Sequence, residues 1–308
     1  VGWYSDSVTQ GTSAIVSSQV QQEEIPVDGG WNETTPFPFI QGTDCCGEVV
    51  QLGPKADSKL LGKRVLIRSC MRPQGFTSME NLWMGSDFDG AFAQYVKVSQ
   101  SEVFEVQCDW SAAELATIPC AYGTAENMIQ RVGIRSGEKV LITGASGGVG
   151  SAAVQLAKLR KAQIIAVVAP EKQQNILDLG AEQTIARDEN LVEVLGEESV
   201  DVVIDLVAGD AFQALLKVLK RGGRYVSAGA IGGPVVSFDT RTFYLKDLQL
   251  IGCTAWDEGV FPNLIAYLED KRLRPLLAKT FPLEMIAKAQ QEFLLKKHVG
   301  NFVLIPPN

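Results

Sequence analysis

A single histidine, His298, occurs in the 308 residues. That scarcity excludes any mechanism built on two imidazoles, a three-histidine zinc site included. No apolar run approaches the ~20 residues that a bilayer-crossing helix requires, and Val1 opens onto no basic-then-apolar leader. We therefore expect a soluble, cytoplasmic protein with no membrane partner. Cysteine is sparse, with six residues at 45, 46, 70, 108, 120 and 253. They form no CxxC pair and lack the dense spacing of a disulfide scaffold, so reduced thiols are expected. Basic residues are scattered under a formal net charge of −8, which sets the chain against a phosphate backbone and argues against nucleic acid as a partner. An initiator methionine is also lacking, which leads us to expect residues upstream of Val1.

What is present is length enough for two domains. Residues 1 to about 35 are rich in Gly, Ser, Thr and Gln, carry the turn signal Asp28-Gly29-Gly30, and read as a long loop. Short β-type runs follow at 47–50, 64–67 and 92–98, broken by glycines, and predict a small barrel. Asp109-Trp110-Ser111 offers caps for a helix over 112–116, and a second helix is expected over 122–131. From Lys139 the texture changes to apolar strands alternating with helices, the mark of a parallel sheet covered on both faces. Strands are expected at 139–143, 163–168, 183–186, 200–206, 223–228 and 248–253, and helices near 148–160, 171–179, 189–195, 210–220 and 260–270. Six such strands match a doubly wound dinucleotide fold. A helix near 284–296 and a strand at 302–305 close the chain.

The motif that carries chemistry is Gly144-Ala145-Ser146-Gly147-Gly148-Val149-Gly150, between the apolar strand Val140–Thr143 and the helical run Ser151–Lys158. From Ala145 it has GxGxxG spacing, with alanine in the first glycine's place. Gly147 would admit the backbone to a pyrophosphate and Gly150 would let helix and strand pack closely. The helix N-terminus would present unpaired N–H groups to the anion. Strand before and helix after are the context that such a motif needs. The next strand, 163–168, runs into Ala169-Pro170-Glu171-Lys172 with no acid at its tip. An acid there would hold ribose hydroxyls and exclude a 2′-phosphate, so its absence points to NADP over NAD, with Lys172 as a phosphate partner or simply a solvated helix residue; Glu171 turning back would reverse the choice. Small residues at the later strand ends, Val207 and Ala208 after Asp205 and Ala228-Gly229-Ala230 after Ser227, are expected to lie against the cofactor.

Three runs together, Gly144 to Lys158, Ile118 to Ala125 and Asp89 to Tyr95, resemble the medium-chain dehydrogenase/reductase superfamily, and within it the zinc-free quinone oxidoreductase-like branch. The resemblance extends from about residue 36 to the end. It implies a chaperonin-10-like β-barrel domain (1–118 and 272–308) and a Rossmann domain with a doubly wound parallel sheet (119–271). It also implies NADPH in the cleft between them and a homodimer in which the strand 248–253 lies near the pairing edge. Thr124 and Asn301 join the cofactor-binding set on the same basis. Zinc-dependent relatives carry Gly-His-Glu where this chain reads Gly42-Thr43-Asp44, so the histidine ligand is replaced. Cys120 keeps a ligand position, but a threonine and one thiolate do not hold zinc, and no metal is expected. Val1-Gly2-Trp3-Tyr4-Ser5 is similar to a segment whose tyrosine faces the nicotinamide. Tyr4 is thus the first candidate for proton donation, ahead of Tyr122 and Asp44, which also suit structural roles. His298 reads as a surface residue.

Without a metal, an activated acceptor such as a quinone or an α,β-unsaturated carbonyl suits hydride transfer from NADPH better than a plain alcohol does. Two alternatives stand beside this reading: an alcohol dehydrogenase with atypical zinc ligands, among which Cys45 and Cys46 would count, and a non-enzymatic NADPH-binding relative.

Overall fold

The computed structural model describes residues 7–15 and 38–307. Two compact units make up the chain, Val1–Gly123 with Ala255–Asn308, and Thr124–Thr254. The limits expected from sequence are 118/119 and 271/272; in the structure the 260–270 helix goes with the first unit.

The first unit begins with β1 (Ser7–Ile15), β2 (Cys46–Leu52), β3 (Arg64–Ile67), β4 (Cys70–Met71), β5 (Leu82–Trp83), β6 (Tyr95–Val98) and β7 (Val103–Glu105). β1 corrects the expected loop over 7–15; the remainder of 1–35 lies outside the described residues. The composition of β1 is polar, and its hydrogen bonds come from distant partners: it runs antiparallel to β2, to β6 and, by Ser13–Ile15, to the last strand of the chain. Helix α1 (Ala112–Leu115) opens on a capping box in which the Ser111 side chain accepts from the Glu114 N–H and the Glu114 carboxylate accepts from the Ser111 N–H. Helix α2 (Pro119–Val132) follows, with proline at its first position, where a missing N–H costs nothing. Position 123 on α2 requires glycine, because a Cβ there would collide with the buried Trp256 ring.

The second unit alternates β8 (Lys139–Ile142), α3 (Gly148–Leu159), β9 (Gln163–Val168), α4 (Gln173–Leu179), β10 (Gln183–Ala186), α5 (Leu191–Leu195), β11 (Val200–Asp205), α6 (Phe212–Val218), β12 (Leu219–Ser227), α7 (Thr240–Leu245) and β13 (Gln249–Gly252). All pairings are parallel and the order is β10-β9-β8-β11-β12-β13. The chain turns one way from β8 to β9 and the other way to β11, so the switch point of the sheet falls at the carboxyl end of β8. Leu141, Ile165, Val203, Leu215 and Leu216 form the core against this sheet, each contributing about 1.5–3 kcal/mol by leaving water.

Returning to the first unit, α8 (Val260–Glu269), β14 (Leu277–Pro282), α9 (Ile286–Leu294) and β15 (Asn301–Ile305) complete it. Its main sheet runs β14-β15-β1-β2-β3-β7, with β6 also on β1. Cys45, Val49, Val65, Ile67, Met84 and Val98 pack one core, and Phe281, Phe293, Phe302 and Leu304 another.

Candidate cofactor site and its neighbours

At the carboxyl end of β8 the chain enters Gly144 with φ +59°, a left-handed conformation that a side chain resists. Gly147 then caps α3 in extended geometry (φ −75°, ψ 171°), without a side-chain cap and with no acid in the first turn. The first N–H groups of α3 have no partner within the helix. A Cβ on Gly147 would make one ordinary contact, with the Gly144 carbonyl at 3.4 Å. On Gly150 it would lie 2.2 Å from that same carbonyl. Gly147 thus keeps the approach to the helix end clear, and Gly150 lets α3 close on the strand end. Ala145 is fully buried and donates its N–H to the Val167 carbonyl at 3.2 Å. Its methyl is accommodated because Gly144, one residue earlier, takes the left-handed step. Ser146, Gly148 and Val149 are half-buried around the opening. This arrangement fits a dinucleotide pyrophosphate.

Beside the turn stands a group the sequence reading did not single out. Asp205, fully buried at the end of β11, accepts the Thr143 hydroxyl at 2.5 Å, the Tyr225 hydroxyl at 2.5 Å and the N–H groups of Val207 and Ala208 at 3.0 and 3.2 Å. Thr143 Oγ1 accepts in turn from the Leu206 N–H at 2.9 Å. Burial, then the nearby Asp205 charge, pushes the Tyr225 hydroxyl pKa upward, so it stays a donor. Ala208 is held at φ +57°, ψ −138°, which costs an alanine on the order of 1–3 kcal/mol. An acidic residue closing the apolar run Val202-Val203-Ile204 was the available signal. The loop after it packs on the loop after β12: the Gly232 N–H donates to the Val207 carbonyl at 2.7 Å and that of Gly209 to the Gly233 carbonyl at 3.2 Å. Ala228 and Gly229 are half-buried there and Ala230 is exposed.

β9 ends in Val168 and passes through Ala169-Pro170 into a short 3-10 turn that places Lys172 under cover. The expectation of a solvated Lys172 is therefore corrected. Burial presses its pKa down, exposed Glu171 raises it, and Arg187 is close enough to press it down further. Arg187, one residue beyond β10, is a second cation at this strand end, and its sequence position gave no sign of the proximity. Thr124 lies half-buried on α2.

In the first unit, Thr43 and Asp44 are both buried. Asp44 accepts the Cys120 N–H of α2 at 2.6 Å and the Thr43 hydroxyl at 3.3 Å. Burial dominates these bonds and raises its pKa from 3.8 to about 7. Among the described residues no group of three or more His, Cys, Asp or Glu stands close enough to hold a metal ion. Thr43 offers only a hydroxyl, a poor zinc donor, where Cys120 offers a thiol.

Tyr122 is 1% exposed and donates its hydroxyl to the Arg274 carbonyl at 2.6 Å. Of the two roles open to it, proton donor or structural residue, this burial and bond fit the structural one. Asn301 is buried, with its side-chain amide donating to the Thr117 carbonyl at 3.1 Å and its backbone N–H to the Leu276 carbonyl at 2.9 Å. His298, expected at the surface, is half-buried and packs on the Phe293 and Phe302 rings, at 4.5 and 4.3 Å between centroids. Tyr4 lies outside the described residues.

A polar depression of about 320 Å³ also lies among the strand starts of the second unit, walled by Arg135, Glu138, Asp201, Lys220 and Arg224. Its Arg224 and Lys220 are paired with Glu138 and Asp201. Ligands of open α/β sheets bind at the carboxyl ends of the strands, so the site belongs at the glycine-rich turn.

Comparison with known proteins agrees with this geometry. Residues 12–108 match the alcohol dehydrogenase GroES-like domain and residues 148–270 the zinc-binding dehydrogenase domain. A Sinorhizobium meliloti protein described as a candidate alcohol dehydrogenase superposes with a TM-score of 0.91 at 36% identity, covering 100% of this chain and 90% of that one. The chain belongs to the medium-chain dehydrogenase/reductase superfamily. It is 29% identical to the acryloyl-coenzyme A reductase of Metallosphaera sedula, over 89% of this chain and 86% of the relative. It is 27% identical to human quinone oxidoreductase, over 86% and 79%. As a medium-chain dehydrogenase/reductase it is an oxidoreductase whose family binds NAD(P), with a Rossmann-type unit and a GroES-like unit. Among the described residues no helix is long and apolar enough to cross a membrane.

Proposed function

We propose that this reductase takes NADPH and delivers its hydride, without a metal, to a conjugated acceptor, an α,β-unsaturated carbonyl or a quinone. The observation that carries the cofactor choice is the end of β9, where the strand tip is Val168 and not an acid, and where covered Lys172 has Arg187 nearby as well as exposed Glu171. Two cations against one exposed carboxylate favour a 2′-phosphate. The open α3 end takes the pyrophosphate on the N–H groups that follow Gly147. Thr124, Val207, Ala208, Ala228, Gly229 and Ala230 offer small surfaces to the rest of the nucleotide. When bound, the nicotinamide supplies the hydride; the chain supplies orientation and the proton.

The acceptor class is supported by relatives named for acryloyl-coenzyme A and quinone reduction, and by Thr43 where zinc-dependent relatives hold a histidine. Asp44, whose carboxyl keeps its proton to about pH 7, is a candidate proton reservoir. Tyr4 is the candidate hydroxyl on the substrate side. A cytoplasmic homodimer is part of the same proposal. β13, paired to β12 alone among the described strands, leaves an edge on which Leu250 is 37% exposed.

Titration with NADPH and NADH, then turnover on enals, enoyl thioesters, quinones and simple alcohols, tests the reading. NADPH is expected to bind at least tenfold more tightly, and conjugated acceptors to be reduced. Tighter NADH binding overturns the cofactor assignment, and stoichiometric zinc in the purified protein overturns the metal-free one.

A further inference from the structure

The Asp205 network does more than satisfy a buried carboxylate. Its donors come from three adjacent strand ends: Thr143 follows β8, Val207 and Ala208 follow β11, and Tyr225 is on β12. Ala208 N–H reaches both carboxylate oxygens, at 3.2 Å each. Ala208 is also the residue of this loop held at φ +57° and ψ −138°, where an alanine stays only if its surroundings impose it. The restrained segment touches the glycine-rich turn. A Cβ on Gly144 would find the Val207 Cγ2 at 3.2 Å and the Leu206 Cβ at 3.7 Å. The carboxylate therefore sets the backbone of a loop that forms one wall beside the dinucleotide turn.

We propose that Asp205 is a positioning residue for the nucleotide, acting through the strained backbone of Ala208 and assisted by Thr143 and Tyr225. This rests on the turn being a dinucleotide site. In Asp205→Asn an NH2 group replaces one acceptor oxygen: in the Oδ2 place it can donate to the Tyr225 hydroxyl but opposes the Ala208 N–H, which then keeps one of its two bonds and loses the carboxylate charge, so the grip on Ala208 is weakened.

The test pairs two variants. Asp205→Asn is expected to weaken NADPH binding tenfold or more by fluorescence titration. Asp205→Asn with Ala208→Gly is expected to return within about threefold of the parent, because glycine adopts this conformation without being forced. A generic structural role predicts no such rescue, since Ala208→Gly adds no contact. Crystal structures of the variants supply a readout independent of the nucleotide: φ of Ala208 should leave the positive region in Asp205→Asn, and residue 208 should return to it in the double variant. Unchanged affinity and unchanged φ in Asp205→Asn would overturn the proposal, as would failure of the rescue. If Asp205→Asn does not fold, Thr143→Val and Tyr225→Phe each remove one donor. Either is expected to raise the NADPH Kd two- to fivefold, and no change in both overturns the proposal. A parent protein that binds neither NADPH nor NADH refutes the dinucleotide reading instead, and the Ala208 geometry still decides whether Asp205 holds the loop.

Discussion

Gly147→Ala adds one methyl at the mouth of the glycine-rich turn. The backbone there is extended (φ −75°, ψ 171°), which alanine adopts freely, and the nearest heavy atom to the new Cβ is 3.4 Å away. The folded protein should lose only the N-cap preference of glycine over alanine, less than about 1 kcal/mol. The same methyl stands where an anion must approach the first N–H groups of α3. Displacing one charge-assisted hydrogen bond costs about 1.5–3 kcal/mol, or roughly 10- to 100-fold in Kd. The assay is NADPH titration by fluorescence beside thermal unfolding of the same preparation. Gly150→Ala is the contrast, because its Cβ would meet the Gly144 carbonyl oxygen at 2.2 Å and the Ala145 Cα at 2.7 Å. Overpacking of this kind costs about 1–3 kcal/mol, offset by up to about 1 kcal/mol of helix propensity. It should lower both Tm and affinity. The reasoning fails if Gly147→Ala binds NADPH as tightly as the parent, or melts as early as Gly150→Ala.

Removing the two cations at the end of β9, Lys172→Ala with Arg187→Ala, should weaken NADPH at least tenfold and leave NADH within twofold; equal losses for both nucleotides would refute their role at a 2′-phosphate. For Asp44 the folded pKa of about 7 lies above the unfolded 3.8. Its favourable contribution is complete below about pH 4 and is lost as the pH rises to about 7, amounting to at most on the order of 4 kcal/mol. Urea unfolding of the parent and of Asp44→Asn across pH 4–8 should therefore diverge, with the variant gaining relative to the parent as pH rises; parallel profiles would show that the carboxyl is not held protonated. Tyr122→Phe removes the bond to the Arg274 carbonyl, and should cost about 1 kcal/mol of stability with turnover unchanged. A hundredfold fall in kcat would restore Tyr122 to the chemistry.

Where hydrogen bonding and burial follow a local repeat, the sequence was sufficient. The predicted strand 163–168 is β9, the helix expected over 148–160 is α3, and all six strands of the second unit were placed within a few residues. Apolar runs punctuated by glycine dictate those elements, because in a parallel sheet both faces are covered and every strand residue must be apolar or tolerated. The glycine-rich turn was legible for the same reason, although its Ala145 looked irregular until Gly144 was seen to carry the positive φ.

Tertiary structure alone decided the rest. β1 has no apolar alternation to announce it and exists through partners more than thirty residues away. Lys172, Tyr122, Asn301 and His298 were each assigned by residue type and position, and each takes its role from what surrounds it. Asp205 is the clearest instance. In the chain it is one acid at the end of an apolar strand; in the fold, the parallel order of β8, β11 and β12 brings two hydroxyls and two backbone N–H groups onto its carboxylate. The sequence by itself determined the glycine-rich turn and the family, because both reside in contiguous residues. Only the fold determined which polar groups are held, buried or released, because those are properties of neighbours the chain brings from far away.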